Sequence, residues 1–229
     1  MKKVFALIIA VAGLAACTIN INGFGNGENK TVRCGGDVVE RDMQLSDFES
    51  IEVRGSADVD FIQSSVFSVV VKANEEVFDY LDYEVSDGVL QLKTKDNVNI
   101  MAKDFDIFVK APVLKGMTVK GAADFDIDGY ESDSNLVIDV MGAGDVTLNR
   151  IKVPELSIDV KGAGDIDIDG LEAESVSIDV KGAGDARVTG KADKANFSVS
   201  GAGSINARGL KCDQVSTSKN GVASISLER

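Results

Sequence analysis

The sequence predicts an all-β solenoid, a parallel β-helix with coils of about 20 residues. Three observations lead there: a phrase returning at fixed spacing, period-two alternation inside it, and glycines at constant offsets. The phrase is Ile138-Asp139-Val140-Met141-Gly142-Ala143-Gly144-Asp145. It returns at Ile158 to Asp165 and at Ile178 to Asp185, 20 residues apart each time. Weaker copies stand at Gly121-Ala122-Ala123-Asp124, Gly201-Ala202-Gly203-Ser204 and Gly221-Val222-Ala223-Ser224.

One coil explains the rest. Leu156, Ile158 and Val160 alternate with Ser157, Asp159 and Lys161, and Ile166 and Ile168 alternate with Asp165, Asp167 and Asp169. Such alternation marks strands with one buried face. Between them lie the corner glycines Gly142 and Gly144, Gly162 and Gly164, Gly182 and Gly184. They fall on the inner side, where a missing side chain permits a bend or a close backbone approach. A second corner follows five residues after the Asp, at Gly129, Gly170, Gly190 and Gly209, with Arg150 as the exception. A connection of variable length then completes the coil.

Coils stacked in parallel place equivalent residues roughly 4.8 Å apart. The inner columns become Ile138, Ile158, Ile178, Phe197 and Val140, Val160, Val180, Val199. Past the bend they are Phe125, Val146, Ile166, Ala186, Ile205, Ile225 and Ile127, Leu148, Ile168, Val188, Ala207, Leu227. Nearly every member is apolar. The rival is a set of antiparallel hairpins, but a propeller blade needs about 40 residues, and a sandwich does not require one phrase to recur.

The domain spans 38–229, with regular repeats over 113–229 and a less regular part over 38–112. In the latter, Ile51 to Phe61 repeats the same grammar, and Phe67 to Val71, Tyr83 to Leu92 and Phe105 to Val109 read as strands. Asn74-Glu75-Glu76 before Val77, Phe78 and Leu81 reads as a capped short helix, an insertion suited to covering a solenoid end. Residues 18–37 are rich in Asn and Gly and read as a flexible tether.

Residues 1–17 read as an export signal: Lys2 and Lys3, an apolar run from Val4 to Ala12 too short to span a membrane, then Leu14-Ala15-Ala16-Cys17. That ending resembles a bacterial lipobox. The resemblance implies that Cys17 is lipidated and that acyl chains anchor the protein to a membrane without crossing it. It implies an outer-membrane lipoprotein of the cell envelope, with periplasmic and surface-facing placement both open. An exported location permits a disulfide between Cys34 and Cys212, and their distance along a solenoid argues against it.

Charge and composition exclude several functions. The net charge is −13, and losing Lys2 and Lys3 takes it to −15. Such a surface repels nucleic acid. Asp124, Asp145, Asp165 and Asp185 form an outward ladder continued by Ser204 and Ser224. Carboxylates 4.8 Å apart repel by about 0.9 kcal/mol even at a water-like dielectric. A hard cation on Asp145, Asp165 and Asp185 would offset this. The alternative, favoured by the decay to Ser, is that each Asp accepts hydrogen bonds from its corner backbone. Asp139, Asp159 and Asp179 form a second column near Lys161 and Lys181, and Arg187 stands above Asp167. Carboxylate pairs on a β-helix could cleave polysaccharide. But the chain has no His and no Trp, and an Asp repeated in every coil is usually architecture. No cofactor is expected. The exposed strip Ala143, Ala163, Ala183 and Ala202 could seat a second subunit, and a protein or glycan partner stays open.

Phe48-Glu49-Ser50-Ile51-Glu52-Val53, Gly55-Ser56-Ala57-Asp58, Glu84-Val85-Ser86-Asp87-Gly88-Val89-Leu90 and the serial Gly-Ala-Gly-Asp copies together resemble the GIN-domain family. These are exported proteins common in Bacteroidetes, labelled autotransporter-adhesin head domains. The resemblance covers roughly 38–229. It implies a right-handed β-helix and an adhesin-like role, with attachment through Cys17 in place of autotransport.

Overall fold

The computed structural model describes residues 18–20, 30–102 and 104–227; Cys17 and the export signal lie outside them. Its strands are β1 (Thr18–Asn20), β2 (Lys30–Arg33), β3 (Val38–Asp42), β4 (Ser50–Gly55), β5 (Asp58–Gln63) and β6 (Ser68–Asn74). After a 3-10 helix (Glu75–Tyr80) come β7 (Leu81–Ser86), β8 (Val89–Thr94), β9 (Val98–Met101), β10 (Phe105–Ala111), β11 (Gly116–Gly121), β12 (Phe125–Glu131) and β13 (Leu136–Gly142). The regular coils follow as β14 (Val146–Gly162), β15 (Ile166–Gly182), β16 (Asp185–Gly201), β17 (Ser204–Gly221) and β18 (Ser224–Leu227).

The architecture is a β-solenoid of about six turns. Strands β13 to β18 pair in parallel with their equivalents one coil away. Ile138, Ile158, Ile178 and Phe197 are each other's rung neighbours, as are Val146, Ile166, Ala186 and Ile205. All of these are buried. Period-two alternation therefore fills a continuous interior without large side chains leaving the stack.

The corner glycines are required by stacking. A Cβ built on Gly162 would lie 1.9 Å from the carbonyl oxygen of Gly142, and one on Gly164 2.2 Å from that of Gly144. The corners pack backbone on backbone, held by hydrogen bonds from Ala163 N–H to Gly142 O and Ala183 N–H to Gly162 O, both 2.9 Å.

The expected variable connection after the second corner is instead a third short face. β14 and β15 run through it, and Ile151, Leu171 and Leu210 are buried there. Tyr130, beside Ile151, closes the inner end: its hydroxyl donates to Leu114 O at 2.8 Å and accepts from Leu114 N–H at 2.9 Å. Differences in coil length are absorbed by irregular register between Ile168 and Leu171 and between Arg187 and Thr189.

The less regular part departs from chain order. β4 lies between β8 and β11, and β5 between β10 and β12, all in parallel. The coil of residues 50–63 is thus inserted between two coils that follow it in sequence. The solenoid end beyond is closed by antiparallel strands, β7 on β8 and β6 on β10, with β3 on β6. The 3-10 helix over Glu75–Tyr80 is present, but the expected cap is not: Asn74 makes no side-chain cap bond, and its Nδ2 donates to Gly36 O at 2.7 Å. Edge strands β3 and β7 carry Glu40, Arg41, Asp42, Asp82 and Glu84, charges that discourage further pairing.

The tether expected over 18–37 is partly built into the fold. β1 pairs antiparallel with β2, and β2 pairs in parallel with β9. Val32 and Cys34 are buried, so this stretch has apolar groups to hide despite its Asn and Gly content. Cys34 is buried and Cys212 half-buried, and no disulfide joins the two.

Candidate functional site

The acidic ladder lies at the corner between the first face, formed by the rungs of Ile138, Ile158 and Ile178, and the second, formed by those of Val146, Ile166 and Ala186. The Gly-x-Gly corner turns each chain there, and a side-chain oxygen replaces a backbone acceptor. Asp145 N–H donates to Asp124 Oδ1, Asp165 N–H to Asp145 Oδ1 and Asp185 N–H to Asp165 Oδ1, each at 2.9 Å. Ser204 continues it with both its N–H (2.9 Å) and its hydroxyl (2.8 Å) on Asp185 Oδ1. The acceptor serves the next coil, not its own corner as the sequence suggested. Such charge-assisted bonds offset the lateral repulsion of the carboxylates.

Beside the ladder runs a shallow groove of about 420 Å³ on the second face. Asp165, Asp167, Asp185, Arg187 and Asn206 line it. Arg187 Nη1 meets Asp167 Oδ1 at 2.7 Å, an exposed ion pair of little energetic weight. Among the described residues, no group of three His, Cys, Asp or Glu side chains is arranged to hold a metal ion. Asp145, Asp165 and Asp185 are brought into one column, each bonded along the stack.

On the first face the second carboxylate column, Asp139, Asp159 and Asp179, is partly neutralised by two lysines. Lys181 Nζ bonds Asp179 and reaches Asp159 at 3.3 Å, and Lys161 lies 3.9 Å from Asp159 and 4.0 Å from Asp139. The Asp179 hydrogen bond, then that of Asp159, raises the Lys181 pKa. Further along this face Glu52 bonds Arg54 and, at 3.0 Å, Lys120. Burial pushes the Glu52 carboxyl up, but these hydrogen bonds and charges bring it below the usual range. The strip Ala143, Ala163, Ala183 and Ala202 is exposed.

A third acidic group was not legible in the sequence. Asp58 and Asp60 on β5 face Asp106 of β10 and Asp124 and Asp126 of the neighbouring coil. Both carboxyls are raised, first by burial and then by these like charges. The signal was the match of Asp58-Val59-Asp60-Phe61 to Asp124-Phe125-Asp126-Ile127, but nothing in chain order says that β5 lies between β10 and β12. A raised carboxyl pKa means that the folded state holds its proton more tightly than the unfolded chain. The penalty is complete above the folded pKa and disappears as pH falls below the ordinary Asp range. Asp58→Asn is therefore expected to raise stability at pH 7 by a few tenths of a kcal/mol, solvent screening keeping it small. The gain should vanish near pH 3.5, by urea midpoints of parent and variant at both pH values.

The family described as "Putative auto-transporter adhesin, head GIN domain" matches residues 47–228. No curated protein matches the chain. Among solved structures, one described as "Putative lipid binding protein" from Parabacteroides distasonis is 23% identical, with a TM-score of 0.77, covering 87% of this chain and 100% of its own. A "putative adhesin" from Bacteroides fragilis is 21% identical, with a TM-score of 0.70, covering 85% of this chain and 99% of its own. These likenesses establish the same fold. The family match spans most of the chain, and with the Gly-Ala-Gly-Asp coils it makes this protein a member of the GIN-domain family.

Proposed function

We propose that the protein is a lipid-anchored, non-catalytic module of the cell envelope that binds a protein or glycan through the outside of its solenoid. The observation that carries this reading is the engagement of its repeated carboxylates. Those of the corner ladder accept backbone hydrogen bonds, and those of the first face pair with lysines. Neither column leaves an isolated acid and base facing one cleft, and the chain has no His. The interior is filled by apolar columns, so a partner meets the outer faces. The family's description as an adhesin head agrees with a binding role. Lipidated Cys17 holds the protein at the outer membrane, and no helix among the described residues is long and apolar enough to cross it.

Three assays test this. Cys17→Ala is expected to move the protein from the membrane fraction to the soluble fraction; a variant that stays membrane-bound overturns the anchor. Protease added to intact cells then assigns the side. Digestion makes surface adhesion the working function, whereas protection until the outer membrane is opened restricts the partner to the periplasm. Release of reducing ends from an envelope polysaccharide, lost in Asp167→Asn, would overturn the non-catalytic reading.

A further inference from the structure

The two ends of the solenoid are finished differently. At the end that β2 and β9 adjoin, antiparallel strands and charged edges block further pairing. At the other end, the C-terminal half of β17 and all of β18 pair on one side only among the described residues. Residues 214–221 of β17, Gln-Val-Ser-Thr-Ser-Lys-Asn-Gly, contain one charge and no proline, and β18 contains neither. Val215 is 41% exposed and Leu227 37%, while their rung neighbours one coil below, Ala195 and Ala207, are buried. Between them a hollow of about 260 Å³ is lined by Phe197, Ala207, Leu210, Val215 and Leu227. An edge of this kind presents free backbone donors and acceptors to another strand.

We infer that this rung pairs antiparallel with the same rung of a second copy of the chain, giving a two-fold dimer joined end to end. Charge placement selects the occupant and the register. With Ser216 opposite Ser216 of the other copy, Asp213 comes opposite Lys219 twice over, and Val215 opposite Thr217. The edge is thus self-complementary, as a two-fold interface demands. The blocked opposite end stops growth at two copies, so the product is a dimer and not a fibre. On the anchored reading above, Lys30 enters the fold at the blocked end. The anchors of a dimer then point away from each other, and the contact links two membrane surfaces.

Cysteine cross-linking of the purified full chain in mild detergent tests the register, in a Cys212→Ser background. S216C is expected to form a reducible dimer, because the two copies of residue 216 face each other within disulfide reach. S218C should not, since its two copies lie about 13 Å apart in this register. K219E should weaken dimerisation roughly tenfold in sedimentation velocity, and D213K combined with K219E should restore it. A chain monomeric at tens of micromolar, polymers beyond the dimer, or equal cross-linking at 216 and 218 would each overturn the inference. Dimerisation by S216C with Cys17→Ala still membrane-bound would leave the inference standing and remove only the anchor.

Discussion

Gly162→Ala is expected to destabilise the domain by about 4 kcal/mol or more, enough to leave much of the chain unfolded under conditions where the parent is folded. The reason is steric. The new Cβ would sit 1.9 Å from the Gly142 carbonyl oxygen, which is backbone held in the corner ladder and cannot rotate aside. Relief requires the two coils to separate, which breaks rung hydrogen bonds on both neighbouring faces. Gly170→Asn is the control. Gly170 has φ +74°, but a Cβ there would lie 3.7 Å from Arg150, and Arg150 itself takes φ +54° in the coil below. Asn tolerates that conformation, so the cost should stay below about 1 kcal/mol. Urea denaturation followed by circular dichroism separates the two; similar midpoints would refute the stacking account.

The second large effect is expected from Ile158→Ala, at about 3 kcal/mol. Ile158 is buried between Ile138 and Ile178, and the rungs on both sides hold the backbone spacing. The stack cannot close on the void left behind. The same change at Ile225 should cost about 1 kcal/mol, because that residue is only partly buried and, among the described residues, has a rung on one side only. In a linear array, stability is carried by nearest-neighbour contacts, so an inner coil loses two interfaces and an end coil one. Equal losses at the two positions would argue against nearest-neighbour coupling.

Much of this fold is legible in the chain because the coils are local copies. Each 20-residue phrase carries its own alternation and its own corner, so Ile138, Ile158 and Ile178 can be aligned by counting, and the interior columns follow. The third face was harder to read. Ile151 and Val153 in one coil and Leu171 and Ala173 in the next are at most two apolar residues between corners, too few to show a period. The acidic group around Asp58 was out of reach for another reason, since its members meet only because β5 is inserted between strands that follow it in sequence.

The sequence by itself therefore determined the architecture, the corner glycines and the apolar columns, because each depends on residue type at a repeated offset. The tertiary structure alone decided which carboxylates meet and how they are satisfied. It set the Asp124-to-Ser204 ladder on the backbone of the next coil and brought Asp58 and Asp60 against Asp106, Asp124 and Asp126. It also capped one end with antiparallel strands and left the last rung at the other paired on one side only among the described residues. These outcomes depend on the order in which coils stack, and stacking order is a property of long-range pairing that no single repeat encodes.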